Sequence, residues 1–400
     1  MTARRWRFPL FLSGLILLSQ AFPLPSPVRD AATLQGVTGF TMHYPLGHLL
    51  FTPFCGLADV LTVLSYHQGI VMGIWVVTLF FILGGWRRGG VCFFLLLVFV
   101  AWGALIPRPM GRLVAGDPDV LLIDFHSHTR YSHDGRPMFT PERNMAWHRD
   151  QGYAASFITD HNRVEASQIA NRESEADWPK TGYRSLQGEE VSLQKTHLII
   201  LGSHEKVDNR PYDGDFAKIP GFVADMHKKN YPVIASLPEY WLYHWGAGVQ
   251  DFVKWGMDGF EIVNSAPKAL DFPPAYRVQI VDLCRSQNLF MTGISDNHGY
   301  GYATAVWNAM TLPGWQSLGS EQLEKAVLLQ LKTKRFHAVQ VLERVKFFPE
   351  TSLQLAFSPL GTFWIYWRSL QPVQAIAWVV WLWLISFLYP DHYEVAKKIN

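Results

Sequence analysis

The sequence predicts an α/β domain of about seven strands set between apolar helical segments. That strand count suits a small or distorted (β/α) barrel, with an open doubly wound sheet as the alternative. Three observations carry this reading. Between residues 113 and 360, short β-rich apolar runs alternate with helical patterns, as βαβ crossovers and a largely parallel sheet require. Outside that stretch lie uncharged apolar runs near the ~20 residues that a membrane span needs. Histidines and carboxylates gather at the C-terminal ends of the strands, where barrel enzymes carry their chemistry. Composition sets the limits: 49% hydrophobic residues, 17% charged and a net charge of +2 over 400 residues exclude a disordered chain or a polyanion-binding tail. Three cysteines exclude a disulfide scaffold.

In chain order, residues 8–24 follow Arg4, Arg5 and Arg7 and read as an uncleaved span, with a cleaved secretory leader as the alternative. Residues 46–66 are apolar but carry His48, Pro53 and Asp59. They are either a span with a functional carboxylate or an interfacial, re-entrant piece. Residues 69–86, 89–107 and 373–390 hold no charge, with Trp86, Trp102, Trp381 and Tyr389 toward their ends, and read as spans with interfacial aromatics. The chain divides into an N-terminal membrane region (1–112, three or four helices), a central domain (113–360) and a C-terminal helix with a short tail (361–400). With Arg4, Arg5 and Arg7 inside, an interfacial 46–66 also places Arg87, Arg88, Lys397 and Lys398 inside and the central domain outside. The positive-inside rule favours that arrangement, although Arg108 and Arg112 count against it. A full span at 46–66 would put the domain in the cytoplasm. The expectation is an integral protein of the plasma (inner) membrane with an extracytoplasmic domain. No oligomeric state is legible.

In the central domain, VLLIDFH (120–126), AASFITDH (154–161), HLIILG (197–202), YPVIASL (231–237), GFEIVN (259–264) and LFMTGISD (289–296) read as strands. Residues 140–152, 222–230, 274–288 and 320–335 read as helices. Thr140 is the predicted N-cap of the first, with Pro141 and Glu142 behind it. Ser320 is the predicted cap of the last. No phosphate-cradling glycine motif follows a strand.

The strand ends carry the chemistry. The first ends in Asp124-Phe125-His126-Ser127-His128, and the i, i+2 spacing turns both imidazoles to one side. The second ends in Asp160-His161. A third run gives Glu189-Glu190, followed by His197. A late strand ends in Asp296-Asn297-His298. Neutral histidine with carboxylate is the donor set for Zn, Mn or Fe in hydrolytic sites. One His-x-His pair arises by chance, and an isolated Asp-His is usually a satisfied turn. Four motifs in order are hard to explain structurally, because buried unpaired polar groups are costly.

The ordered set HSHTRYSHDG (126–135), ITDHN (158–162), GEEV (188–191), HLIILG (197–202) and SDNHG (295–299) resembles the PHP family, named for polymerase and histidinol phosphatase. The resemblance spans about 119–345 and implies a distorted seven-stranded (β/α) barrel with two or three divalent ions that hydrolyses phosphoesters by a metal-activated water. It implies that His126, His128 and Asp296 hold a first ion. Glu190 would bridge to a second held by His197. His161 and His298, with His133 or Asp134, would hold a third. His161 and His298 are also candidates for acid–base catalysis, and Arg130, Arg163 and Lys195 for binding phosphate. One position departs from the family pattern: Leu237 stands where a ligating histidine is usual, and His244 is the nearby substitute. The implied substrate is a phosphorylated small molecule or a lipid-linked phosphoester, with nucleic acid only as a short substrate. An amidohydrolase-like barrel acting on C–N or ester bonds and a non-catalytic, membrane-tethered metal sensor are the alternatives.

Overall fold

A computed structural model of the chain describes residues 6–194, 196–236, 248–267, 269–272 and 274–388. Its main sheet has ten strands in the order β1-β12-β11-β4-β5-β6-β7-β8-β9-β10. These are β1 (Val28–Asp30), β4 (Val120–Asp124), β5 (Ala155–Ile158), β6 (Arg184–Leu193), β7 (Thr196–Leu201), β8 (Val233–Ala235), β9 (Gly259–Asn264), β10 (Phe290–Ile294), β11 (Val306–Thr311) and β12 (Gln340–Arg344). A separate ribbon pairs β2 (Phe40–His43) with β3 (Arg112–Ala115). Strands β5, β9 and β10 are buried along their whole length, which explains why apolar and small residues predominate in them.

The predicted seven strands are thus ten in one curled sheet. Strands β4 to β10 follow one another in chain order, and the curl returns β10 toward β4. There Ser127 and Asn297 form a parallel bridge, and Asp296 N–H donates to the His126 carbonyl at 3.1 Å. Asn308 on β11 completes the link. Its amide nitrogen donates to Ile123 O at 2.9 Å and Gly293 O at 2.6 Å, and its oxygen accepts from Gly293 N–H at 2.7 Å. The parallel run is interrupted, because β6, β7 and β8 pair antiparallel. Strands β11, β12 and β1 extend the sheet antiparallel beyond β4.

The central helices are α5 (Pro141–Gln151), α6 (Glu165–Thr181), α7 (Ile219–Lys228), α8 (Val249–Lys254), α9 (Pro274–Gln287) and α10 (Ser320–Lys334). Thr140 caps α5 by accepting from Arg143 N–H. Gly152 ends that helix at φ 94°, where a Cβ would meet Leu113 O at 2.1 Å. Helix α10 is capped by Gly319, not Ser320. Ser320 instead donates its N–H to Glu175 of α6 at 2.5 Å.

The apolar segments form α1 (Arg7–Ser19), α2 (Leu46–Leu50), α3 (Thr52–Thr62), α4 (Tyr66–Leu105), α11 (Ser352–Ala356), α12 (Ser358–Ser369) and α13 (Pro372–Leu388). Helix α4 breaks at Gly85, whose φ of 62° leaves the helical region. A Cβ on Gly89 would lie 3.1 Å from the Phe81 Cα, so the two halves fold back as a hairpin. Both ends of the hairpin are tied to the central domain: Tyr66 N–H donates to Pro267 O at 3.0 Å and Gly301 N–H to Ala104 O at 2.7 Å. Arg87 and Arg88 follow the break.

Four separate spans were expected. Among the described residues one helix, Gly84–Leu105, is long and apolar enough to cross a membrane. The 13 residues of α1 rise only about 20 Å at ~1.5 Å per residue, short of a ~30 Å hydrocarbon core, and α13 is described over 17 residues, as far as Leu388. Segment 46–66 is two short helices, not one span. Its Asp59 accepts from Arg108 Nη2 at 2.7 Å and lies 3.1 Å from His48 Nε2. Arg108 is therefore buried and paired rather than a free flanking charge. Arg4, Arg5, Tyr389, Lys397 and Lys398 lie outside the described residues.

These helices share a small core of Ile16, Tyr366, Leu370, Ala375 and Trp378. Trp6 stacks on Trp383 at 5.4 Å, and Gln20 donates to Trp367 O at 2.7 Å, so α1 and α13 run antiparallel. Phe8, Phe11, Ile74, Ile82, Phe94 and Leu388 are among the large apolar side chains left exposed.

Candidate metal centre

Strand ends deliver the donors. The extended chain leaving β4 turns His126 and His128 to the same side, and their Nε2 atoms lie 2.9 Å apart. Both face Glu190 Oε2, at 3.0 and 3.2 Å, and Asp296 Oδ1, at 3.7 and 3.2 Å. The antiparallel pairing of β6 with β7 brings His197 within reach of Glu190, and Nδ1 lies 2.6 Å from Oε1. His161, after β5, places Nδ1 3.3 Å from Glu190 Oε2. Asp134 Oδ2 lies 3.4 Å from His161 Nε2 and 3.1 Å from His298 Nε2. Asp296 has a φ of 49°, a left-handed conformation uncommon outside glycine. It is held there by its N–H bond to His126 O and by Asn264, which donates to Oδ2 at 3.0 Å.

These residues form three groups whose donor atoms lie within 4.8 Å of one another: His126, His128 and Asp296; His161, Glu190 and His197; and His128, Asp134, His161 and His298. The structure brings Asp134 into a group and leaves His133 outside all three. The His133 side chain is 74% exposed, with its ring 4.8 Å from that of His161. Arg130 and Arg163 are exposed. Arg130 lies over the Tyr131 ring, and neither arginine pairs with a donor carboxylate among the described residues. Leu237, His244 and Lys195 lie outside the described residues.

The electrostatics are those of a cation-binding cluster. Burial works to raise the Glu190 pKa, but His126 and His161 override it and hold the carboxyl well below its ordinary range. Asp296 is held low in the same way, with His298 the largest favourable partner. Burial works to lower the imidazoles, yet Glu190 and Glu261 raise His126, and Asp296 with Glu190 lifts His128 to about 9. In His161 burial wins and the pKa falls. Two protonated rings with Nε2 atoms in contact repel. A divalent ion among them would let both rings present lone pairs and would neutralise the carboxylates. The donor set fits divalent metals on its chemistry.

Sequence reasoning missed the groups that orient these donors. Glu261, in the middle of β9 and fully buried, accepts from His126 Nδ1 at 2.8 Å and from Ser236 Oγ at 2.8 Å. This fixes the tautomer that aims the Nε2 lone pair at the cluster. The signal was present: a carboxylate inside a buried strand must have a partner. Asp124 accepts from His148 Nε2 at 3.0 Å and from Ser295 N–H at 3.1 Å, tying β4 to the loop that carries Asp296. Asp160 accepts from Thr129 N–H and Oγ1 at 2.6 and 2.7 Å. A cavity of about 410 Å³ opens beside Asp134, Asp296 and His298, walled by Trp147, Tyr300 and Tyr302.

No protein-family model matches the sequence, and no curated protein matches it. Several solved structures are similar in part. A two-domain protein from Bacteroides vulgatus, containing a predicted PHP-like metal-dependent phosphoesterase, is 17% identical over 60% of this chain and 69% of its own, with a TM-score of 0.40. A candidate metal-dependent phosphoesterase from Bifidobacterium adolescentis is 17% identical over 46% of this chain and 89% of its own, with a TM-score of 0.36. An amidohydrolase from Chromobacterium violaceum is 14% identical over 48% of this chain and 92% of its own, with a TM-score of 0.33. These likenesses are too slight to decide a function, which has to come from the site.

Proposed function

We propose that the chain is a membrane-anchored, metal-dependent phosphoesterase. The observation that carries this reading is the three overlapping donor groups, joined through Glu190, His128 and His161. His126, His128 and Asp296 would hold one ion, Glu190 and His197 with His161 a second, and Asp134, His161 and His298 a third. Zn, Mn or Fe bound there would polarise a phosphoryl oxygen and lower the pKa of a water at neutral pH.

The chain's own residues do the rest. Glu261 and Asp124 hold β4 and the Asp296 loop in register. His298 Nδ1–H donates to the Asp296 carbonyl at 2.8 Å, which leaves Nε2 toward Asp134. Without a third ion, His161 and His298, whose Nε2 atoms face the Asp134 carboxylate, would be the groups placed to exchange a proton with a leaving oxygen. Glu190 faces His126 and His128 through one oxygen and His197 through the other, so a carboxylate would lie between the first and second ions, in keeping with phosphoester rather than amidohydrolase chemistry.

Membrane anchoring is supported by the exposed apolar faces of α1, α4 and α13. The α4 hairpin leaves Arg87 and Arg88 at its tip, with both hairpin ends on the domain. By the positive-inside rule the tip lies in the cytoplasm and the domain outside. A phosphoester carried on a lipid or an envelope component is the substrate class this placement favours. Full-length protein in detergent, loaded with Mn or Zn, is expected to cleave p-nitrophenyl phosphate or its bis ester. Stoichiometric metal retention without cleavage of either would sink the proposal. A reporter fused at the C-terminus is expected to read cytoplasmic.

A further inference from the structure

A second cavity shares none of its lining residues with the metal groups. A cavity of about 70 Å³ sits where α3 and α12 meet the segment after β12. Its walls are largely apolar, from Val60, Val63, Leu64 and Ile365. Three donors line it with nothing to bond: Lys346 Nζ, Arg344 Nη2 and Thr362 Oγ1 are buried and have no hydrogen-bond partner among the described residues.

The acids nearby are already committed. Asp59, which lines the cavity together with His48, is taken by Arg108 and His48. Glu343, on the other side of β12, is taken by Arg29 at 2.7 Å and Arg277 at 3.0 Å. Tyr44 and Tyr366 add phenol groups to the lining but no charge. The Arg344 Nε bonds the Thr304 carbonyl at 3.3 Å, which leaves its outer nitrogen for the cavity. Two cations and a hydroxyl thus converge on a space large enough for several waters or one tetrahedral anion. Arg344 also lies over the Trp307 ring at 5.6 Å, but a buried ammonium and a buried guanidinium nitrogen left unbonded are unfavourable, and charge-assisted bonds to an oxyanion would satisfy all three donors at once. Burial holds the Lys346 ammonium down to about 8, as expected of a cation that lacks its counter-ion.

We propose that this cavity binds a phosphate group, either on an anionic amphiphile or free in solution, through Lys346, Arg344 and Thr362. The apolar walls and the surrounding apolar helices suit an acyl chain behind the phosphate. Its three donors belong to none of the metal groups.

The test uses the full chain in a neutral detergent and follows thermal unfolding. The probes are inorganic phosphate, dioleoylphosphatidic acid, and dioleoylglycerol as the lipid without phosphate. Wild type is expected to unfold at a higher temperature with phosphatidic acid than with dioleoylglycerol. A response to inorganic phosphate as well would mark the free anion as a sufficient ligand. Lys346→Met is expected to raise the concentration for half response by about tenfold or more, and Thr362→Val by less. Without probe, Lys346→Met should unfold no earlier than wild type, because it removes an unpaired buried cation. No response to either phosphate probe in wild type would overturn the proposal. So would an undiminished response in both variants, which would put the anion at the metal centre. A marked loss of stability in probe-free Lys346→Met would also overturn it, since Lys346 would then already have a partner in the chain.

Discussion

Removing Glu261 should weaken metal binding although Glu261 itself belongs to none of the three donor groups. Its two oxygens accept from His126 Nδ1 and Ser236 Oγ, both at 2.8 Å. In Glu261→Gln the amide oxygen can still accept from His126, so the ring keeps its direction and loses only a charge-assisted bond. Such bonds exceed neutral ones by roughly 1–1.5 kcal/mol, or about tenfold in affinity. In Glu261→Ala the Nδ1–H loses its carboxylate and keeps only Ser236 Oγ, 3.4 Å away, so the ring is held far less firmly. Loss of an orienting partner typically costs 10–100-fold in affinity, and the buried site points to about 100-fold. The assay is competition for Zn or Mn against a chelating fluorophore, using full-length protein in detergent. Circular dichroism guards against unfolding. A folded Glu261→Ala that binds metal within about twofold of wild type, while His126→Ala loses it, would refute the role of Glu261.

Other outcomes follow from the same structure. Asp134→Asn should lower the total metal bound at saturation, whereas His133→Gln should leave it unchanged, because only Asp134 faces His161 and His298; inductively coupled plasma analysis reads both. Asn308→Ala should destabilise the fold by about 3 kcal/mol, since it orphans buried polar groups on both β4 and β10; chemical denaturation in detergent would check it. Glu189 is buried, and burial pushes its carboxyl up to about 7 from 4.5. The folded state therefore binds the proton more tightly, so stability falls as pH rises from about 4.5 through 7. Glu189→Gln should flatten that slope by on the order of 3 kcal/mol across the window; an unchanged slope would rule Glu189 out as its cause.

Much of the site was legible because its donors sit in short motifs at the ends of apolar strands, where alternation dictates which residues share a face. His126 with His128 could be paired from spacing alone, whereas Asp296 and His298, also two apart, fall in different donor groups. The choice between His133 and Asp134 could not be made that way, since adjacent loop residues differ only in direction. The structure sets that direction with a bond from Ser132 Oγ to Asp134 Oδ1 at 2.7 Å. Strands β1, β2, β3, β6, β11 and β12 went unpredicted because long-range pairing, not local pattern, makes them strands. Helix α6 was hidden by its polar sequence and by Pro179 near its end. The apolar segments were plain in composition, but their lengths were not. Where α4 turns back depends on one residue, Gly85, inside an apolar run that carries several glycines.

The placement of β1 bears on how the molecule is made. The strand that seals the open edge of β12 comes from residues 28–30, and the ion pair that accompanies it, Arg29 with Glu343, joins positions 314 apart. During synthesis β1 emerges about 300 residues ahead of β12 and must wait for it. Until that closure, β12 offers an unpaired edge, the kind that templates aggregation, and closing so long a loop is intrinsically slow. The apolar hairpin is made in the interval between the two strands. Truncations that begin at residue 113 would remove the sealing strand altogether and should yield a domain prone to edge-to-edge association.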